Sequence, residues 1–107
     1  MADDPELTAR VRRHLEGEPD VVERRMFGST GFMVAGVLRV GAGRNRGHVM
    51  MARVPSALEA DALTEPGVHQ AVMRGRPIAG WLFFEEQAVA TDEQLARWVA
   101  AASAAEV

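Results

Sequence analysis

Leu7, Val11 and Leu15 recur every four residues, a spacing that lines one side of a helix. The pattern predicts a helix over residues 4–16. Asp4 can cap it, and Pro5 suits the first helical position, where its missing N–H costs nothing. Glu6 and Arg10 stand four apart and can pair on the outside. "EGEPD", residues 16–20, ends the helix with Gly and Pro. From Val21 the period falls to two: Val21, Glu23, Arg25 and Phe27 share one side, and Val22, Arg24 and Met26 the other. Arg24 is therefore expected against apolar neighbours, with an acidic or backbone partner, and Arg25 in solvent. Residues 28–31 read as a turn. "FMVAG" and "VLRVGAG" read as short strands joined at Ala35–Gly36. "GRNRG", 43–47, reads as a loop before a fourth strand, "HVMMARV". Connections this short make the strands antiparallel, because parallel pairing needs a crossover of a dozen or more residues.

Pro55 and Ser56 open a second helix, in which Ser56 and Glu59 have capping-box spacing and Leu58, Ala62 and Leu63 point inward. Residues 68–80 fit either a helical turn or a strand, followed by a turn or edge strand at "RGRPIAG". "WLFFEE", 81–86, is a strand. Thr91 and Gln94 cap a final helix whose stripe is Leu95, Trp98, Val99 and Ala102. The order is helix, three to four strands, helix, one or two strands, helix. That order predicts an α+β fold, an antiparallel sheet with helices packed on one face, as one domain over 1–107.

Charge narrows the function classes. Fifteen acidic and 12 basic residues leave a net charge of −3, which does not suit a nucleic-acid binder. All 12 basic residues are Arg, and Tyr is absent, a bias better explained by a GC-rich genome than by arginine chemistry. With no Cys, disulfides, thiolate metal sites and a Cys nucleophile are excluded. The acidic start and the lack of any apolar run near ~20 residues predict a cytoplasmic protein with no membrane span. So small a domain buries a modest share of its surface, which favours a homodimer.

Candidate chemistry is sparse. "GAGRNRG", 41–47, resembles a phosphate loop, but its spacing is G-x-G-x-x-x-G and a strand follows it, so no helix N-terminus faces a phosphate. His14, His48 and His69 are dispersed, which predicts no metal site. Ser29 lies in a glycine turn without the strand–elbow–helix context of a hydrolase nucleophile. Ser56 reads as a cap and Ser103 as a tail residue. Met26, Met33, Met50, Met51 and Met73 read as core filling, with an adaptable partner-binding surface as the alternative, and Trp81 and Trp98 as core or dimer-face anchors. No catalytic residue, metal or cofactor is expected.

Three blocks carry a family resemblance. "ERRMFGSTGFMVAG", "GRPIAGWLFFE" and "LARWVAAASA", in that order, resemble the TfoX N-terminal domain family over residues 4–104. The residues carrying it are Arg25, Met26, Phe27, Gly28, Gly31, Phe32 and Gly36 in the first block and Gly75, Arg76, Pro77, Gly80 and Trp81 in the second. Ser29 replaces one glycine of the family's usual Gly-Gly turn. The resemblance implies a secretion-chaperone-like α+β fold and a stand-alone member without the C-terminal domain of the two-domain regulators. Those regulators coactivate DNA-uptake genes through a cyclic-AMP receptor transcription factor. It also implies a structural or interaction role for these residues and supplies no catalytic group. The expected function is thus a non-enzymatic regulatory or protein-interaction module, with a protein partner such as a transcription factor and no direct nucleic-acid binding. The alternative is a small anionic-ligand site using Arg24, Arg76 and His48 near the glycine turns.

Overall fold

The computed structural model describes residues 3–26 and 28–106. Helix α1 spans Pro5–His14. It leads into four strands, β1 (Val21–Met26), β2 (Ser29–Val34), β3 (Val37–Asn45) and β4 (His48–Arg53). Helix α2 (Ser56–Ala62) precedes β5 (Val68–Met73) and β6 (Arg76–Phe84), and a 3-10 turn at Glu86–Ala88 leads to α3 (Asp92–Ala104). All six strands join one antiparallel sheet in the order β1-β2-β3-β4-β6-β5.

The expected α+β architecture is what forms. Leu7, Val11 and Leu15 of the first segment and Leu95, Trp98, Val99 and Ala102 of α3 pack into one core. The sheet contributes Phe32, Val40, Ala42, Met50, Ala52, Leu82, Phe84 and Val68 to that core. The caps at both ends work as read. Asp4 accepts from the Leu7 N–H at 3.2 Å, and Thr91 and Gln94 form a reciprocal capping box. Trp98 Nε1 donates to the Ala88 carbonyl, satisfying its polar edge inside the core.

Several local readings are corrected. Residues 28–31 are not all turn, since β2 already begins at Ser29. The loop at 43–47 shrinks to Arg46–Gly47, because β3 continues through a bulge to Asn45, which pairs with His48. For residues 68–80 the strand alternative holds and the helical turn does not: β5, a turn and the start of β6 form a hairpin. Arg74 and Gly75 both have positive φ (53° and 74°), the geometry of a two-residue turn whose twist matches antiparallel strands. The turns at Ala35–Gly36 and Arg46–Gly47 have the same signature.

The second helix departs most from expectation. Pro55 is its N-cap, and no side-chain cap bond forms. Ser56 instead bonds to Glu106 through both N–H and Oγ, and Glu59 accepts from the Gly80 N–H. Of the three inward residues only Ala62 is buried; Leu58 and Leu63 are exposed. Seven residues at the sheet's end give too little surface to bury a full stripe. Arg10 also finds other partners than Glu6: the Ala90 carbonyl and Asp92 at 3.6 Å, at the start of α3.

Candidate functional site

The helices pack their core residues, Ala62 of α2 included, on one side of the sheet, which leaves the other side to be read from the register. Arg24 pairs with Gly31, Gly31 with Gly41, Gly41 with Met51, Met51 with Phe83, and Phe83 with His69. A second row runs Val22–Met33–Leu38, and a third joins Arg53 to Trp81. Paired residues point to the same side, and these positions alternate with the core positions Phe32, Val40, Ala52 and Leu82. Hence Val22, Arg24, Met26, Met33, Leu38, Met51, Arg53, Trp81 and Phe83 share the helix-free face.

An antiparallel sheet with one solvated side ordinarily places polar residues there. This face does the opposite. Met26, Met33, Leu38, Met51, Trp81 and Phe83 are half-buried, and Val22 is 53% exposed. Arg24, Arg53 and His69 interrupt it, and His48 reaches it by stacking on Phe83. Arg53 stands 5.9 Å from the Trp81 ring, and Arg24 is exposed. His69 is tied to Glu85 at 2.6 Å, which holds that carboxyl below its ordinary range.

The residues of the first family block prove mainly architectural. Phe32 is fully buried. Gly28 and Gly36 have φ near +80°, as turn residues do, but Gly31 lies within β2 without positive φ. Its need for Gly is spatial: a Cβ there would come within 2.6 Å of Met26 Sδ and 3.0 Å of Leu38 Cδ1. Met26 and Leu38 thus fold across Gly31. Arg25 reaches Asp3 at 3.0 Å on the helix side. Arg24 and Arg25 do point to opposite sides, but both are exposed, contrary to the expectation that Arg24 would be buried. The edge position of β1 leaves nothing outside it to cover that side chain. Phe27 lies outside the described residues.

The second block builds a bulge. Between the Gln70–Leu82 and Val72–Pro77 pairs, β6 carries several extra residues. Gln70 Nε2 donates to the Ile78 and Trp81 carbonyls at 2.8 and 3.1 Å. Gly80, at φ 84°, gives its N–H to Glu59 and accepts from the Val54 N–H. The bulge turns Trp81 onto the helix-free face. Gly75 makes the preceding turn, while Arg76 and Pro77 are exposed at the hairpin end and pair with Met73 and Val72.

A family model described as the TfoX N-terminal domain matches residues 13–106. The chain belongs to that family. Neither the comparison with curated proteins nor that with solved structures gives a match. In this TfoX N-terminal domain, the glycines and Gln70 shape the sheet, and the sheet presents the apolar face.

The three residues of the anion-site reading do not converge. Arg24 is on edge strand β1, and His48 opens β4, three strands away. Arg76 is at the far end of β6, paired with Met73 four β5 residues (about 13 Å) from the Phe83–His69 pair. His48 is buried and stacks on Phe83, with ring centroids 4.0 Å apart. Burial lowers its pKa below the ordinary value, and the charge of His69 adds to this, both favouring the neutral ring. A groove of about 340 Å³ beside it is lined by Arg44, Asn45, Arg46, Val49 and Glu86. Arg44 there is already engaged by Asp4 at 3.3 Å and Glu86 at 3.6 Å. Among the described residues no group of three His, Asp or Glu side chains is placed to hold a metal, and no helix is long and apolar enough to cross a membrane.

Sequence reading missed Arg39, a buried arginine in β3. It occupies the bulge between the Phe32–Val40 and Met33–Leu38 pairs and donates to the Ala105 carbonyl at 2.7 Å, tying the end of α3 to the sheet. No local pattern signals this, because the bulge is what turns Arg39 inward.

Proposed function

We propose that this domain is a non-enzymatic regulatory module, and that its helix-free sheet face docks a protein partner such as a transcription factor. The carrying observation is the inverted polarity of that face: Met33, Leu38, Met51, Trp81 and Phe83 stand where a solvated sheet has polar side chains. Methionine adapts its shape cheaply and supplies polarizable contact, and Trp is favoured at interface centres. Family membership supports a competence-regulator-like setting.

A photo-reactive amino acid in place of Met51 or Leu38, expressed in the native host, tests the reading. Discrete protein adducts are expected from those positions and not from Ala100 on the exposed side of α3. Equal yields from all three positions, or adducts only from Ala100, would remove it.

A second copy of the chain is supported by a different feature. Val72 and Met73 are exposed on edge strand β5, and pairing two such edges would continue the sheet. Light scattering then gives twice the 11.6 kDa chain mass, and a Val72→Lys change returns it to one.

A further inference from the structure

We infer that the helix-free face takes an apolar peptide segment that carries acidic residues at its margins. This rests on the docking reading above and names the chemistry of the occupant.

Charge selects among the occupants. The whole chain is acidic, with a net charge of −3, yet every charged residue on this face is cationic or already neutralised. Arg24 stands on edge strand β1 and Arg53 at the end of the inner strand β4, three strand spacings (about 14 Å) apart and two residues offset along the strands. Arg24 is exposed, and its side chain has no acidic partner within salt-bridge distance among the described residues. His69, the third polar position, is bound to Glu85. Glu85, which reaches this face, is already held by His69, and Glu106 lies near Arg53, so Arg24 is the cation of this face left without an acidic neighbour among the described residues.

A second copy laid face to face would offer Arg24 no free carboxylate, because Glu85 is already held by His69. A single-stranded nucleic acid would find Trp81 and Phe83 to stack on, but backbone tracking needs a continuous basic groove. Here the space between the arginines is Gly31, Gly41 and the methionines instead. That space is apolar: Met26 and Leu38 fold over Gly31, and Met51 lies beside Gly41 in the same row. Its width suits a single helix or extended segment whose apolar side meets Met33, Leu38 and Met51. Carboxylates along its margins would then reach Arg24 and Arg53, giving charge-assisted pairing at the rim.

The test is a displayed library of random 16-residue peptides, selected on the wild-type protein and on Arg24→Glu/Arg53→Glu. Arg24→Glu lies on an exposed edge and Arg53→Glu on a half-buried site, so circular dichroism establishes folding, and Arg24→Glu alone serves if the pair is unstable. Amide NMR shifts of the labelled wild-type protein locate the enriched peptides. The expected result is peptides rich in both apolar and acidic residues, with shifts at residues 31, 38, 51 and 83. Their affinity should fall at least tenfold on charge reversal. Enriched peptides that map to the face but show no acidic excess, or no loss on charge reversal, overturn the charge assignment and leave the docking face standing. Peptides that map elsewhere overturn both. Tighter binding of an oligo-dT 20-mer to the same residues assigns the face to nucleic acid and overturns the proposal.

Discussion

The His48 ring lies flat on Phe83, with planes 9° from parallel. Its Nε2 is buried without a hydrogen-bond partner, so protonation would place an unpaired charge against an apolar ring. Burial lowers the folded-state pKa below the unfolded value near 6.5. The unfolded chain therefore binds the proton more readily, and stability rises with pH between the folded pKa and the unfolded one. This contribution is fully present above about pH 6.5 and is lost as pH falls toward the folded pKa. Urea unfolding midpoints should drop from pH 7.5 to 5.5, and His48→Phe should flatten that drop. An unchanged slope in the variant would show that other groups cause it.

Gly31→Ala is expected to destabilise, although the backbone there has no positive φ. The added methyl meets Met26 and Leu38, and overpacking of this kind costs about 1–3 kcal/mol. Shortening the neighbour should relieve it. In Met26→Ala the same Gly31→Ala change should cost measurably less, which a double-mutant cycle reads directly. Additive losses would place the strain elsewhere.

These cases show where the sequence was legible. Period-two alternation and the Ala35–Gly36 pair marked strands and a turn correctly, because both are local rules, whereas the loop read at 43–47 was too long. The stripe from Leu95 to Ala102 marked α3 for the same reason. The register of β5 on β6 was hidden, since the bulge at 78–81 depends on Gln70 and Glu59, which are distant in the chain. Arg39 was hidden by its own bulge. Arg24 and Met51 were each visible, but that they share a bare face follows only from the strand order. Residues of the family blocks were found without their roles, because Gly31 and Gly80 serve a close approach and a bulge that no spacing announces.

The two capping-box spacings should respond differently. Thr91→Ala removes a formed cap and should cost about 1 kcal/mol. Ser56→Ala removes an exposed contact to Glu106, whose carboxyl the Ser56 hydroxyl lowers to about 2, and no cap. Its effect at pH 7 should stay within about 0.5 kcal/mol, as for other surface changes. Chemical denaturation of both variants checks the ranking, and a larger loss at Ser56 would give the Glu106 contact a structural weight its exposure argues against.

Gln70 offers the sharpest test of how the second family block works. Its amide holds the Ile78 and Trp81 carbonyls across the bulge, and so fixes where Trp81 emerges. Gln70→Leu keeps similar bulk but removes both donors, leaving two half-buried carbonyls unpaired. Leaving such groups unsatisfied costs about 1–3 kcal/mol. Gln70→Glu keeps the shape but turns an oxygen toward each carbonyl, and should be at least as harmful at pH 7. The change should also be seen at a distance from the core. Trp81 fluorescence should shift toward that of solvated indole, and the signal of buried Trp98 should not move. Recording both variants in a Trp98→Phe background isolates the Trp81 signal. Loss of stability with an unmoved Trp81 spectrum would mean that Gly80 and its bond to Glu59 alone shape the bulge.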